Sequence, residues 1–278
     1  MTIPSRIIDF HVHLFPDRMF EAIWKFFSDV YRWDVIYRMY APECIAFLHE
    51  RGVETIVYSN YAHRPGVAEE LNHWNHEILD RYEQLYCFAA FHPDDKNPIA
   101  LARRALDHPR VIGFKLQLLV QRFAPDDERL FPLYDLVIER KKRILFHVGT
   151  GPVGNEFVGL AGFRELMARY PELPANVAHM GAYEYRGFME LLAYYPNLFL
   201  DTSFTFFKEF QGKGGYDLGP EPLERWRDRI LYGSDFPNLI LPRESELETL
   251  ASYRLSEEFY RKAFHDNGAR LIQAASAS

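Results

Sequence analysis

The chain has 278 residues, of which 48% are hydrophobic and 26% charged, and its formal net charge is −7. This composition is typical of a globular protein with a large core, and the negative charge disfavours a broad basic surface for nucleic acid. No run of about 18 apolar residues is present, so no membrane span is expected. The only cysteines, Cys44 and Cys87, offer neither a disulfide framework nor a cysteine zinc site. We expect a cytoplasmic protein with one domain over residues 1–278.

Eight short runs rich in β-branched and aromatic residues recur along the chain, and amphipathic helical patterns separate several of them. Strands that alternate with helices indicate βαβ units and a parallel sheet. Eight such units in a chain of this length favour a closed (β/α)8 barrel, the TIM-barrel fold. The predicted strands cover residues 6–14, 53–62, 85–93, 111–119, 143–150, 175–182, 197–205 and 229–237.

Residues 15–40 form a long insertion after the first predicted strand, which would distort the regular barrel. This insertion is rich in aromatic side chains. We consider two interpretations, a lid over the mouth of the barrel or a helix that merely packs against it. A second aromatic run, residues 204–207, follows the seventh strand and could form either an apolar pocket wall or part of the core.

Side chains alternate between two faces along a strand, and the first strand separates polar from apolar residues in this way. One face would carry Asp9, His11 and His13, and the other would carry Ile8 and Phe10. We expect the apolar face to meet the outer helices and the polar face to point into the barrel. Polar residues recur near the carboxyl ends of other predicted strands, where barrel enzymes place their active sites.

Five side chains near strand ends indicate a metal site. His11 and His13 share one face of the first strand, about 6–7 Å apart at the backbone. The others end strands five, six and eight, and they are His147, His179 and Asp235. In a closed barrel these strand ends surround one axial point. Imidazole nitrogens and a carboxylate suit Zn²⁺ best, with Mn²⁺, Fe²⁺ and Co²⁺ as further candidates.

The stretches DFHVHLFP, FHVGTG, AHMGA and LYGSDFPN, in this order, resemble the strand motifs of the amidohydrolase superfamily. The resemblance covers essentially the whole chain and is to the single-domain amidohydrolase-2 group, which includes metal-dependent hydrolases and decarboxylases of the aminocarboxymuconate-semialdehyde type. It implies that His11, His13, His147 and Asp235 bind one divalent ion. It also implies that Asp235 is the catalytic base and that His179 contacts the substrate or the attacking water.

These roles predict a metal-dependent hydrolase of a small amide, lactone or ester that uses a metal-activated water. Asp235 would take the proton of that water, and His179 would orient the water or stabilise the oxyanion. The alternative is a non-oxidative decarboxylase, a lyase acting on a carboxylated ring or dienoate, in which the same two residues help to protonate the carbon. Some decarboxylases of the group replace the first histidine of the pair with glutamate, whereas this chain keeps His11.

Three further residues are candidates for substrate binding. Lys115 lies on the predicted inward face of strand four. In binuclear members of the superfamily a lysine here is carboxylated and bridges two ions, but we prefer a lysine that pairs with an acidic group or binds a substrate carboxylate. His92 and Arg64 follow strands three and two and could contact substrate. A turn-capping role for His92 and a solvated surface position for Arg64 are the alternatives.

Residues 144–154, ILFHVGTGPVG, also fit the G-x-G-x-x-G pattern of dinucleotide sites. That pattern should open the first βαβ unit, with an acidic ribose ligand about 20 residues later. Here it belongs to the fifth strand, and Pro152 removes an amide that a phosphate would need. We therefore interpret the glycines as tight-turn positions beside the metal pocket.

Two non-catalytic functions are also considered, a ligand-binding barrel that has lost catalysis and a structural subunit of a larger complex. The intact set of five site residues argues against the first, and a measurement of assembly would test the second. We expect a small-molecule substrate and neither a nucleic acid nor a membrane as partner. A homodimer is compatible with the resemblance.

Overall fold

A computed structural model describes residues 4–210 and 214–276 of the chain. Eight parallel strands form one sheet in sequence order, which confirms the predicted (β/α)8 barrel. Each strand lies inside its predicted segment but is shorter. The strands are β1 Ile7–His13, β2 Val53–Ser59, β3 Leu85–Ala90, β4 Val111–Gln117, β5 Arg143–His147, β6 Ala175–Val177, β7 Leu198–Asp201 and β8 Ile230–Leu231.

The loop after β8 brings the sheet close to full closure against β1. The main-chain N–H of Asp235 donates to His11 O at 2.8 Å, and that of His13 donates to Phe236 O at 2.7 Å. Because β8 itself ends at Leu231, these bonds extend the pairing towards the carboxyl end of the barrel. The closing segment therefore fixes Asp235 beside the two histidines of β1.

Twelve α-helices lie within the described residues, and none of them is long and apolar enough to cross a bilayer. A π-helical turn, Phe27–Tyr31, continues the first helix. The helices are α1 Asp17–Phe26, α2 Ala41–Glu50, α3 Ala68–Arg81, α4 Pro98–Ala105, α5 Leu118–Gln121, α6 Phe131–Glu139, α7 Leu160–Arg169, α8 Tyr185–Leu191, α9 Pro220–Arg225, α10 Arg243–Ser252, α11 Glu257–Arg261 and α12 Asn267–Ser276.

The interior of the barrel beneath the strand ends is apolar. Phe10 of β1 and Phe88 of β3 meet at 6.0 Å between ring centroids, although their strands are not neighbours. They belong to a cluster that includes Leu271 and Ile272 of α12, which close the amino-terminal end of the barrel. The strand residues of this cluster are Ile8, Phe10, Val57, Phe88, Ile112, Leu145, Phe199 and Leu231.

The predicted faces of β1 are therefore partly wrong. Ile8 and Phe10 point into the barrel rather than towards the outer helices, whereas Val12 packs in the outer cluster as predicted. The pairing of β1 with β2 has a register irregularity between Asp9 and Val12. An extra residue in one strand exchanges the faces of the residues that follow it, so the apolar residues before the irregularity and the histidines after it can both face inwards.

The insertion after β1 lies over the carboxyl end of the barrel. Phe20 and Trp24 of α1 are buried and anchor it to the body of the protein. Trp33 stacks on Phe204, from the loop after β7, at 5.9 Å between ring centroids. Of the two interpretations of residues 15–40, the structure favours the one in which they cover the barrel mouth.

Candidate functional site

Three of the predicted metal ligands converge at the carboxyl end of the barrel. His11 and His13 belong to β1, and Asp235 lies in the loop after β8. The Asp235 Oδ1 atom is 3.4 Å from His11 Nε2 and 3.1 Å from His13 Nε2. The ligand atoms of the three residues lie within 4.8 Å of one another, a spacing that one metal ion can bridge.

Asp201, at the end of β7, fixes the protonation of His11. The His11 Nδ1–H group donates to Asp201 Oδ2 at 2.9 Å, and both side chains are buried. The lone pair of His11 therefore lies on Nε2, which is buried and has no hydrogen-bond partner among the described residues. This nitrogen and the Asp235 carboxylate face each other as two electron-rich groups, so a cation between them would relieve their repulsion. The residues fit a divalent ion in a carboxylate–histidine–metal arrangement.

The protonation states of these groups also suit a metal. Burial lowers the pKa of His11 and so favours the neutral imidazole. Burial opposes ionisation of Asp235 and Asp201, but hydrogen bonds from neighbouring side chains hold the pKa of each carboxyl below its usual value. Neutral imidazole and ionised carboxylate are the forms that bind metal ions.

His179 lies in a left-handed turn directly after β6, with φ 57°. Its main-chain N–H donates to Asp201 Oδ1 at 2.9 Å, which holds this turn in place. The His179 Nδ1 atom is 3.1 Å from the Ser203 carbonyl oxygen and 2.8 Å from Ser203 Oγ. Because a carbonyl can only accept, Nδ1 carries the proton of the neutral ring. The Nε2 atom then has the lone pair and lies 3.2 Å from His147 Nδ1.

The side chains of His11, His179 and Asp201 form a second group whose ligand atoms lie within 4.8 Å of one another. The Ser203 hydroxyl contacts all three of them, at 3.1 Å from His11 Nδ1, at 2.8 Å from His179 Nδ1 and as a donor to Asp201 Oδ1. Both ring nitrogens carry protons at this point, so the group is a hydrogen-bond network. This network orients the two imidazoles. The metal site is therefore assigned to His11, His13 and Asp235.

His147, at the end of β5, lies outside both of these groups. Burial lowers the pKa of its ring well below the usual value. When its Nδ1–H donates to His179 at 3.2 Å, the lone pair on its Nε2 is free for a metal. Its role as a fourth ligand stays a prediction.

Asp9, which lies two residues before His11 on β1, is fully buried. Its Oδ1 atom accepts hydrogen bonds from the main-chain N–H groups of His11, at 3.3 Å, and Ser234, at 3.0 Å. Burial raises the pKa of this carboxyl to about 6. Asp9 thus ties β1 to the loop that carries Asp235 and supports the ligands through their backbone.

Lys115 of β4 is fully buried, and within residues 4–210 and 214–276 its Nζ atom has no hydrogen-bond partner. Burial lowers the pKa of this amine to about 8, while the charges of Asp201 and Asp235 act in the opposite direction. This arrangement agrees with a lysine that balances acidic groups, and a bridging role would require a second ion.

We expect Lys115→Met to leave the metal content of the protein unchanged at about one ion per chain, because no ligand atom of the three-residue group is removed. Elemental analysis of the purified variant measures this directly. Lys142→Met is the matched control, since Lys142 is also a buried lysine but donates to a main-chain carbonyl on α12. Two ions in the unmodified chain and one in Lys115→Met would instead establish a bridging lysine.

We expect Asp201→Asn to weaken metal binding about 10- to 100-fold, the usual cost of losing a hydrogen-bonded carboxylate behind a metal-binding histidine. The amide keeps one acceptor oxygen, so either His11 Nδ1–H or the main-chain donors on Oδ1 lose their partner. Competition with a chelator measures the affinity. Asp95→Asn replaces another buried aspartate, which accepts from Gly66 N, and should not change it. An affinity equal to that of the unmodified chain would contradict this role of Asp201.

We call His11, His13 and Asp235 the metal group. This group lies at the inner end of a cavity of about 390 Å³. His13, His179 and Asp235 line it at the strand ends, together with His147. Its walls come from the insertion after β1 and from the segments that follow β2, β4, β5, β6, β7 and β8. Aromatic side chains of these walls include Phe26, Phe27, Tyr31, Trp33, Tyr183 and Phe204. The cavity is therefore charged at the strand ends and aromatic towards solvent.

Among the four predicted substrate-binding residues, His179 lines this cavity, whereas Lys115, His92 and Arg64 do not. Arg64 is exposed on the surface. His92 is buried against Phe123, and its Nδ1 atom accepts from the main-chain N–H of Asp94 at 3.2 Å. His92 thus caps a turn, which was the alternative for this residue. Tyr61 and His63, close to Arg64 in sequence, do line the cavity.

Gly149 supports the tight-turn interpretation of residues 144–154. A Cβ atom at this position would lie 2.4 Å from the main chain of Gly181, in the loop after β6. Only a residue without a side chain permits two backbones to approach this closely. The glycine allows the loops after β5 and β6 to meet beside His147 and His179.

Comparison with known proteins agrees with this geometry. The family model described as amidohydrolase matches residues 8–273, and the chain belongs to this family. No curated protein matched the sequence. The family assignment confirms the resemblance drawn from the four strand motifs.

Solved structures with the same fold align over nearly the whole chain. An uncharacterised TIM-barrel protein from Bordetella bronchiseptica is 16% identical, with 97% of this chain and 99% of that chain covered and a TM-score of 0.74. A 5-carboxyvanillate decarboxylase from Novosphingobium aromaticivorans, complexed with manganese, is 14% identical, with 98% and 99% covered and a TM-score of 0.65. A putative 2-pyrone-4,6-dicarboxylic acid hydrolase from Pseudomonas putida is 17% identical, with 98% of each chain covered and a TM-score of 0.63. At these identities the similarity establishes the fold.

Proposed function

We propose that this protein is a metal-dependent decarboxylase of a small carboxylated molecule. The observation that carries the proposal is the contrast between the charged strand ends of the cavity and its aromatic walls. Loss of CO₂ converts a carboxylate into neutral products that such walls accommodate. Hydrolysis of an amide, ester or lactone would leave a new charged group in the same surroundings, where it is poorly solvated.

His11, His13 and Asp235 would hold the ion, with His147 as the fourth ligand. We favour Zn²⁺ from the donor set, and Mn²⁺, Fe²⁺ and Co²⁺ suit the same atoms. The manganese in the 5-carboxyvanillate decarboxylase supports a divalent ion of this kind. A bound ion would act as a Lewis acid that holds and polarises oxygen atoms of the substrate.

The side chains supply the proton that the reaction consumes. The bond between the substrate carbon and its carboxyl group breaks, the electron pair stays on the carbon, and one proton replaces CO₂ there. The His179 Nδ1–H group is held by Ser203, so an added proton resides on Nε2. Burial lowers the pKa of His179, which makes that proton easy to release. Asp235 lines the same cavity as an ionised carboxylate, so it would pass a proton on rather than hold one.

Metal-dependent hydrolysis is the second candidate function. One observation favours it, because the depressed pKa of Asp235 keeps its carboxylate ionised, as the base for a water molecule must be. The putative pyrone hydrolase among the solved relatives agrees with this candidate. Both candidates use the same metal group and differ in the fate of water.

Product analysis separates the two candidates. The zinc-loaded protein is incubated with panels of carboxylated aromatic compounds and of amides, esters and lactones in ¹⁸O-labelled water, with chelator-treated protein as the control. Decarboxylation releases CO₂ and adds no ¹⁸O to the organic product. In D₂O it also places one deuterium on the carbon that lost CO₂. Incorporation of ¹⁸O without CO₂ would contradict the proposal and support hydrolysis.

A further inference from the structure

A continuous row of rings leads from the site to solvent. His179 meets Phe204 at 6.2 Å between ring centroids, and Phe204 stacks on Trp33 at 5.9 Å. Trp33 meets Tyr31 at 5.6 Å, and Tyr31 meets Phe26 at 5.2 Å. Phe26 is 43% exposed. We call Phe26, Tyr31, Trp33 and Phe204 the aromatic wall. It offers apolar contact along the whole path from the metal group to the mouth of the cavity.

Charge is confined to the inner end of this path. Among the described residues that line the cavity, none is lysine or arginine, and Asp235 is the one carboxylate. The polar groups near it include Gln117 and Asn238, whose buried amide oxygens lack a hydrogen-bond partner within the described part of the chain. A second carboxylate on a substrate would have no counter-charge among these residues, which strongly disfavours its burial.

The volume of the cavity is larger than one benzene ring requires. A dry apolar cavity of about 150 Å³ accommodates benzene, and the volume here is about 390 Å³. A ring bound beside the metal group leaves room for a further apolar unit against the aromatic wall.

We propose that the substrate is a monocarboxylate whose apolar body is larger than one benzene ring and packs along the aromatic wall. This inference rests on the proposed decarboxylation, because that reaction assigns the carboxyl group to the metal group. Phe204, beside His179, and Trp33, the next ring of the wall, then determine specificity for the apolar body of the substrate. The insertion after β1 contributes three of the four rings of the wall, so it sets the length of substrate that binds.

Calorimetric titration of the zinc-loaded chain with four probes tests the inference. We expect 2-naphthoate to bind at least about tenfold more tightly than benzoate, because its second ring buries more apolar surface. Terephthalate and 4-nitrobenzoate have nearly the same shape but differ by one charge. We expect terephthalate to bind at least about tenfold more weakly. Equal affinities for naphthoate and benzoate, or tighter binding of terephthalate, would overturn the inference.

Variants locate the preference on the aromatic wall. Trp33→Ala and Tyr31→Ala, at the outer rings of the wall, should remove most of the tenfold advantage of 2-naphthoate and leave the affinity for benzoate unchanged, a split that a general loss of structure would not produce. Tyr194→Ala is the matched control, because Tyr194 is 75% exposed and does not line the cavity. An unchanged naphthoate preference in both wall variants would place the apolar contact elsewhere and contradict the assignment.

Two further titrations test a contribution of Lys213 and the role of the metal separately from the aromatic wall. Lys213 lies outside the described residues, so Lys213→Met is titrated in parallel, and tight terephthalate binding that this variant loses would contradict the inference. Repeating the series on chelator-treated protein tests the metal separately. Naphthoate preference that persists while no metal-dependent affinity exists would support the aromatic wall and count against the proposed reaction.

Discussion

The double variant His11→Ala, His13→Ala should lose its bound metal. Elemental analysis is expected to fall from about one ion per chain to less than about a tenth, because two of the three converging ligands are removed. Metal-dependent CO₂ release should fall by a factor on the order of 10³ or more, since the ion supplies several kcal/mol of transition-state stabilisation. The measurement is metal content beside turnover of the same preparation.

A matched control for this variant is His49→Ala, His73→Ala. Both of these histidines are exposed on helices and contribute nothing to the cavity. The control removes the same number of imidazoles and should keep the full metal content. Circular dichroism and thermal unfolding show whether each variant remains folded. A folded double variant at His11 and His13 that retains one tightly bound ion would contradict the metal assignment.

Replacement of Asp235 by Asn should reduce kcat/KM about 10²- to 10⁴-fold, the usual range for the loss of a positioned proton carrier. The substitution keeps the shape of the side chain but removes the charge that faces His11 and His13. Metal affinity should fall as well, because a neutral amide is a weaker ligand than a carboxylate. Rate constants are measured at saturating metal, so that the loss of the proton carrier is separated from the loss of the ion.

Glu246→Gln is the control for that experiment. Glu246 is a buried acid of α10 that accepts a hydrogen bond from the main-chain N–H of Phe206 and does not line the cavity. Burial raises the pKa of Glu246 well above its usual value, so the neutral glutamine resembles the side chain as it stands. We expect its activity to be unchanged. An Asp235→Asn variant with the same kcat/KM as this control would exclude Asp235 from the chemistry.

The barrel was predictable because parallel strands buried on both faces form short apolar runs between amphipathic helices. The sequence predicts ends for β6 and β8 that lie several residues too late, because the strand-like pattern continues past the last paired residues. His179 and Asp235 follow those strands with φ angles of 57° and 61°. Such left-handed positions cluster at functional sites, where the surrounding structure stabilises the strained backbone. No local pattern distinguishes them from strand residues.

The metal group was predictable from the strand motifs, but its support was not. The sequence alone suggests no role for Asp201, the carboxylate behind His11. Its role depends on His11, which lies 190 positions away in the chain. Ser203 gave no signal, because a serine hydroxyl gains meaning only from the two imidazoles and the carboxylate that it contacts.

The predicted faces of β1 failed for a similar reason. The register irregularity between Asp9 and Val12 arises in the pairing with β2, and strict alternation within β1 alone cannot reveal it. The covering role of residues 15–40 likewise depends on contacts across the barrel mouth. The stacking of Trp33 on Phe204 joins two loops that are far apart in sequence.

Anomalous diffraction from a crystal of the zinc-loaded protein tests the central claim most directly. The account predicts one strong peak within about 2.0–2.2 Å of His11 Nε2, His13 Nε2 and an Asp235 carboxylate oxygen. A peak beside Ser203, among His11 Nδ1, His179 and Asp201, or no peak in zinc-saturated crystals, would contradict the proposed metal centre and the function built on it.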